Sequence, residues 1–397
     1  YLKQVNIYGN GTGLKSWLKA CTTIRKVTFD CPNLEQIADS AFYACTSLEA
    51  IQLPNTVQKI GEYAFNGCCG IKGFELPDSL IEMGESAFYG CNSLEHISFS
   101  SLLKNIPSNG FADCSGLISV DFGKNVETVS DGAFKNCTNI NELIISNTID
   151  SIANNAFNGC TGIKSLMIED HYNSIKLGQN TESDLNVGLS SSCPLKDVYT
   201  GRDITGNAPF HTNKAITQLI ISHQVTTFPD STLTNLSQLS TLSLGNKLEE
   251  IPSFEKCINL QELTIGSRIK YLPDFSKCLS LNKIIVSSAK PQRVEMDFAN
   301  RVYANCTLFV HKGSIVFYQT ADVWKNFFNI EEYEAENKAT ELLFEQDMID
   351  IYPNETFTLN PIVVPFDANE VYKWESSDEN VVTVNNFGEI TAKSVGE

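Results

Sequence analysis

No stretch of this 397-residue chain approaches the roughly 18 consecutive apolar residues that a membrane-spanning helix requires, so no membrane insertion is expected. Basic charge is scarce. Lys and Arg number 29 against 47 Asp and Glu, a net charge of −18. A chain with no basic stripe is repelled by phosphate backbones, so nucleic acid is not an expected partner. The deficit is uneven: residues 331–397 carry sixteen acidic against three basic residues, so −13 of the −18 sits there.

Catalytic and metal-binding signatures are missing too. His96, His171, His211, His223 and His311 show no H-E-x-x-H spacing. No C-x₂-C pair suits zinc, and adjacent Cys68 and Cys69 cannot form a normal site alone. No G-x-S-x-G nucleophile elbow occurs. Gly9, Gly11 and Gly13 lack the G-K-[ST] ending of a phosphate loop and read as a turn. Nothing singles out a carboxylate pair for glycoside hydrolysis. No cofactor, metal or catalytic residue is therefore assigned, and the chain is expected not to be an enzyme. It opens at Tyr1 without a leader, so any signal peptide is expected to lie outside these residues.

What the chain does have is a period. Cys45, Cys68, Cys91, Cys114, Cys137 and Cys160 follow one another at 23-residue steps, with Phe42, Phe65, Phe88, Phe111, Phe134 and Phe157 three residues ahead of them. After each cysteine comes an L-x-x-[IVLF]-x-[LFI] block, as at Leu48, Ile51 and Leu53, and similar blocks open near Leu239, Leu260 and Leu281. A fixed period of this length with this block predicts a leucine-rich-repeat solenoid. Fourteen strand rows are expected, the first near residue 2 and the last near residue 305. In each row, residues such as Ile51 and Leu53 alternate with polar neighbours and build a parallel sheet on the concave face. Val57 and Ile60, three apart, predict short helical or 3₁₀ turns on the convex face. The cysteines of the column are expected to be reduced: stacked strands lie about 4.8 Å apart, whereas a disulfide needs Cβ atoms about 3.8 Å apart with a specific twist.

The regularity breaks in two places. The step from the row at 163 to the row at 195 exceeds the regular period, and the polar stretch 169–194 reads as a loop insertion that interrupts the sheet. Residues 314–330 are expected to cap the last layer with Phe317, Trp324, Phe327 and Phe328 in helical spacing. The solenoid is thus assigned to 1–330 and an acidic linker containing Glu331, Glu332, Glu334 and Glu336 to 331–339. Short alternating strands over 340–397, with a turn at Asn386-Phe387-Gly388 and Trp374 as a core anchor, predict a small β-sandwich.

The motif Ile60, Ala64, Phe65, Cys68, Ile71, Phe74, Leu76-Pro77 resembles the BspA-like leucine-rich repeats, as do "VYTGRDI" at 198–204 and "WKNFFNI" at 324–330. "NPIVVPFDANEVYKWESSDENVVTVNNFGEITAKSVGE" resembles the bacterial group 2 immunoglobulin-like domain, without the strand that normally follows a glycine like Gly396. Together these resemblances imply an exported bacterial protein, extracellular or on the cell surface, that acts in adhesion and has no catalytic residues to carry over. Its implied partner is a host or matrix protein or a cell-surface glycan. The alternative is a polysaccharide-capture module or hydrolase. A monomer is expected.

Positions flanking the buried strand residues should form the inner face. Those read from the rows, including Glu142, Ile144, Met167, Ile220 and Ile285, contain no Trp, Tyr or Arg, the residues favoured at binding hot spots. Tyr172, Tyr199 and Arg202 supply that chemistry near the insertion. A ligand is therefore expected to touch Glu142, Ile144, Met167, Tyr172, Tyr199 and Arg202.

Overall fold

A computed structural model describes residues 2–178, 189, 193–206, 213–228, 236–251, 257–288, 290–294, 297–333, 341–343, 349–359, 362–364, 374–384 and 389–394. Short strands recur at the expected rows and pair in parallel, one row to the next. Gln4–Tyr8, Lys26–Asp30 and Ala50–Ile51 form a three-stranded sheet. Ala50–Ile51 is cut short where Pro54, with no N–H to donate, follows soon after. The next contact is a single bridge from Gly73 to His96, followed by the pair His96–Ser98 and Ser119–Asp121.

From Glu142 onward the ladder is continuous. Nine parallel strands follow in chain order: Glu142–Ile145, Ser165–Ile168, Asp197–Thr200, Gln218–Ile221, Thr241–Ser243, Glu262–Ile265, Lys283–Val286, Thr307–His311 and Asn329–Tyr333. Here the strand segments lack proline and are rich in Leu, Ile and Val, which suit a pleated, half-buried surface.

The opposite flank departs from expectation. Ile60 belongs to a second set of short parallel strands and not to a helical turn. Gly13–Leu14, Gln36–Ile37, Lys59–Ile60 and Glu82–Met83 make one flank sheet, and five strands from Asn105–Ile106 to Ile204–Gly206 make another. Val57 and Ile60 both point into the core, yet the chain between them is extended enough to pair with its neighbours.

Two buried columns fill the space between the sheets from Phe42 to Cys160. The rings of Phe42, Phe65, Phe88, Phe111, Phe134 and Phe157 stack nearly parallel, with successive centroids 5.1, 5.0, 5.2, 5.6 and 5.5 Å apart. Phe74 meets Phe65 and Phe88 edge-on at 5.0 and 4.8 Å. Beside the rings, the thiols of Cys68, Cys91, Cys114, Cys137 and Cys160 donate to the carbonyls of Phe42, Phe65, Phe88, Phe111 and Phe134 at 3.0 to 3.2 Å. All thirteen cysteines are free. Each corner carries a left-handed residue ahead of its cysteine, as at Ala44 (φ 55°), Gly67 (φ 72°) and Asn136 (φ 60°).

Four expectations are corrected here. The insertion does not interrupt the sheet: Ser165–Ile168 pairs directly with Asp197–Thr200. Its first part also contributes the flank strand Ile175–Leu177, paired with Ser151–Ile152 and Ile204–Gly206. Residues 179–188 and 190–192 lie outside the described residues. The cap is a short helix, Ile315–Thr320, with a 3₁₀ turn, Trp324–Asn326. Tyr318, Trp324 and Phe327 are its buried aromatics; Phe317 and Phe328 are exposed, because the chain leaves helical phase between the two turns. Finally, Glu331 and Glu332 are hydrogen-bonded in the last strand of the long sheet and are not linker; Glu334 and Glu336 lie outside the described residues.

Beyond Tyr333 the pairing turns antiparallel. Glu341–Leu343 pairs with Ile362–Val364, and Glu389–Ala392 lies between Thr356–Thr358 and Val382–Val384. The turn at Asn386-Phe387-Gly388 lies outside the described residues.

Two expectations follow from the columns. Phe111→Ala removes a ring with stacked neighbours on both sides and should cost about 3–5 kcal/mol. Because turns couple mainly to neighbours, urea unfolding should broaden as well as shift; a loss under about 1 kcal/mol would show the ring not to be buried. The second concerns pH. Burial pushes the Cys45 thiol up to about 11 and those of Cys257, Cys278 and Cys306 up to about 12, against 9.0 when exposed. Native thiols therefore stay protonated where unfolded ones ionise, and their contribution is full below about pH 9 and lost as pH rises through the folded values. Calorimetry should find a lower Tm at about pH 10.5 than at about pH 8, and replacing Cys257, Cys278 and Cys306 by Ala should reduce the difference.

Candidate functional site

Alternation along a strand sends every second side chain to the open face of the long sheet. Register then stacks these side chains into columns. One column reads Ile144, Met167, Tyr199, Ile220, Ser243, Thr264, Ile285 and Phe309. Its neighbour begins Glu142, Ser165, Asp197 and Gln218. Ile144 and Met167 are 42% and 41% exposed, and Tyr199 and Ile220 are half-buried beside them. Four large side chains thus form an unbroken apolar stripe over successive strands, roughly 14 Å along the sheet at about 4.8 Å per strand.

The face nearer the N-terminus is different. His96 Nδ1 meets Ser119 Oγ at 2.7 Å, and the Ser98 hydroxyl donates to Asp121 at 3.4 Å. Thr28 donates to Asn6 at 2.6 Å. Polar rungs bonded to one another leave less free hydrogen-bonding capacity for a ligand than an exposed apolar stripe leaves apolar area.

Tyr199 is held in place. Its hydroxyl donates to Asp170 Oδ2 at 2.7 Å, and the Ser222 hydroxyl donates to the other oxygen of the same carboxylate. Burial pushes the Tyr199 phenol well above its ordinary value, so it remains a neutral donor. His223, beside Ser222, is pushed down, first by burial, with Asp170 opposing. Gly201 lies against the Asp170 backbone so closely that any Cβ would collide with it. The arrangement fixes a ring, with the proton of Ser222 directed to the Asp170 carboxylate and His223 Nδ1 3.5 Å from the Ser222 oxygen. Among the described residues no three His, Cys, Asp or Glu side chains group as metal ligands.

The six expected contact residues separate in the structure. Ile144, Met167 and Tyr199 share one column, and Glu142 stands in the next column on the strand of Ile144. Tyr172 lies past the strand end, 69% exposed and stacked on His171 at 4.3 Å. Arg202 is a correction. It is fully buried, and its two terminal nitrogens donate to the carbonyls of Asn147 and Ser146 at 3.1 and 2.9 Å. Burial lowers its pKa, with Asp150 and Glu169 opposing. Its guanidinium braces the turn after Ile145, which removes it from any surface contact.

Sequence reasoning also missed that Tyr199 lies on the open face, along with Asp197 and Phe309. The signal was present: Tyr199 is four residues into its row, as Ile144 is in the row that opens at Ile140 and Met167 in the row that opens at Ile163. The longer step between Ile163 and Leu195 concealed it. Arg202→Ala should accordingly cost at least about 2 kcal/mol in urea unfolding, since a fully buried side chain and its bonds to the Ser146 and Asn147 carbonyls are lost. Tyr172→Ala should stay within about 0.5 kcal/mol. Equal small losses would return Arg202 to the surface.

Residues 13–141 and 202–309 match the BspA type leucine rich repeat region, in six copies. Among solved structures, a leucine-rich repeat protein from Bacteroides ovatus shares 19% identity, covering 84% of this chain and 92% of its own, with a TM-score of 0.45. A leucine rich cell surface protein from Faecalibacterium prausnitzii shares 18%, covering 84% of both chains, with a TM-score of 0.39. The Leucine Rich Repeat protein of T. pallidum shares 28% over 41% of this chain and 71% of its own, with a TM-score of 0.35. No curated protein matches the sequence.

Proposed function

The chain belongs to the BspA-type leucine-rich-repeat family, and we propose that it is a non-enzymatic binding protein of the bacterial cell surface or its surroundings. Its partner is a host or matrix protein, engaged through the open face of the long sheet. One observation carries the reading: Ile144, Met167, Tyr199 and Ile220 stand in consecutive register as an apolar stripe with a Tyr anchored at its centre. Apolar side chains cost little to desolvate, and a pre-fixed aromatic loses little rotamer freedom on binding; both favour a hot spot. Glu142 and Asp197 on the adjoining column supply a polar rim.

The family context supports this. Proteins of this repeat type are often found at cell surfaces and are typically without catalytic activity, and no helix among the described residues is long and apolar enough to cross a membrane. In this reading residues 340–397 form an immunoglobulin-like module that serves as a spacer, which the antiparallel pairing of their described strands supports. Capture of a neutral polysaccharide by the same face is the competing use.

The test is an array of matrix proteins and glycans probed with the whole chain, repeated with Met167→Asp and Tyr199→Ser. A protein hit weakened at least about tenfold by either substitution, about 1.4 kcal/mol or more, is the expected result. Hits unaffected by both would remove the stripe from the interface, and glycan hits alone would favour the competing use.

A further inference from the structure

Past the ends of the strands Glu262–Ile265 and Lys283–Val286 the chain crosses from the long sheet to the flank. Two successive crossings, with Glu249 from the turn before, line an open cleft of about 500 Å³. Its lining is out of keeping with a chain of charge −18. Arg268, Lys270 and Lys290 face a single carboxylate, Glu249. That carboxylate is already engaged, bonded to Lys270 Nζ at 2.6 Å. Arg268 and Lys290, both exposed, have no ion-pair partner among the described residues. Arg293 stands at the rim, its guanidinium 5.9 Å from the ring centre of Tyr271, which is 60% exposed.

Gln292, also in the lining, ties the cleft to the cap. Its side chain is only 7% exposed, and Nε2 has no acceptor among the described residues. The cap holds the rest of the residue: Trp324 Nε1 donates to the Gln292 carbonyl at 2.8 Å, and the Tyr318 hydroxyl reaches Oε1 at 3.5 Å. The same hydroxyl lies closer to the Ser288 carbonyl, at 2.9 Å, so the cap keeps this side chain inside and out of reach of the cleft. Arg268 and Lys290, with no ion-pair partner among the described residues, are the groups that call for acceptor oxygens bearing negative charge.

We infer that this cleft binds the oxyanion of an acidic saccharide, a sulfate ester or a uronic carboxylate. Size favours a sugar over a peptide. The cleft spans three turns, roughly 10 Å at about 4.8 Å per strand, which suits one or two sugar units better than an extended acidic segment. The Ser267 hydroxyl lines it and offers a neutral partner for a ring hydroxyl, while that of Ser288 is bonded to the Lys290 backbone. The local positive field of these side chains also sets where an anion can approach. This site lies apart from the apolar stripe and does not depend on it.

Calorimetry and saturation-transfer NMR on the whole chain in low-salt buffer provide the test, with glucose 6-sulfate, glucuronic acid, glucose and a hexaglutamate peptide as probes. At least one acidic sugar should bind, at least tenfold more tightly than glucose. That binding should fall at least tenfold in the double variant R268Q/K290Q, whose exposed positions leave folding intact, and should weaken with added salt. Preference for the sulfate or for the carboxylate identifies the source of the oxyanion. Met167→Asp, on the open face, should leave it unchanged. Absence of binding at about 10 mM, equal binding by glucose, equal binding by R268Q/K290Q, or tighter binding of hexaglutamate would each overturn the assignment.

Discussion

Everything from Phe42 to Cys160 depends on how one turn meets the next through a phenylalanine and a cysteine. The ring of each turn lies on the ring before it, and the thiol donates to the carbonyl of the preceding turn's phenylalanine. The two contacts are unequal. Burying a phenylalanine stabilises by roughly 1.5–3 kcal/mol, with about 0.5–1.5 more for a well-placed ring pair. A thiol is a weak donor, and its carbonyl already accepts a backbone N–H, as Phe88 does from Cys91. The rings therefore hold the turns together, while the cysteine fills a small apolar space and satisfies a lone pair.

Among the described residues the ring column runs to Phe157, and a longer ladder begins before it ends. The long sheet becomes continuous from Glu142, so hydrogen bonding between longer strands joins the flank-sheet and corner bonds that already link the N-terminal turns. Among the described residues stacked rings recur further on, as Phe275 with Phe298 at 5.8 Å beside the aromatic cap. The apolar stripe falls in the stretch where both devices overlap. Ile144 and Met167 sit on strands whose turns still carry Cys137, Cys160 and their rings, so this end of the stripe is backed by the ring column as well as by the ladder.

The repeat was legible because each position in it has one physical job. A step of 23 with Phe and Cys in phase leaves no other reading, and the buried residues of every row followed from alternation. Site residues were harder, since the same residue type does opposite jobs. Arg202 has the chemistry of a surface hot spot, yet it lies inside, bonded to Ser146 and Asn147 two turns back in the chain, a pairing that no local pattern shows. Tyr199 was recognised as binding-competent but placed at a loop, because residue counting lost phase across the longer turn. In the cap, Phe317 and Tyr318 are adjacent and both aromatic; only the break between the helix and the 3₁₀ turn decides that Tyr318 is the buried one. The flank strands were misread since Val57 and Ile60 satisfy a three-residue spacing in either conformation.

The change from stacked rings to a continuous ladder gives the molecule two mechanical characters. Tension along the axis acts on the N-terminal half through stacked rings, short flank strands and corner hydrogen bonds, and a turn that gives way releases about 23 residues, or roughly 75–80 Å of contour. The C-terminal half resists as a single hydrogen-bonded fabric, sealed at its far end by Trp324 and Phe327. A chain built in this way yields under load in increments from one side and keeps the other intact, so a grip made on the long sheet would outlast the stretching of the turns that lead to it.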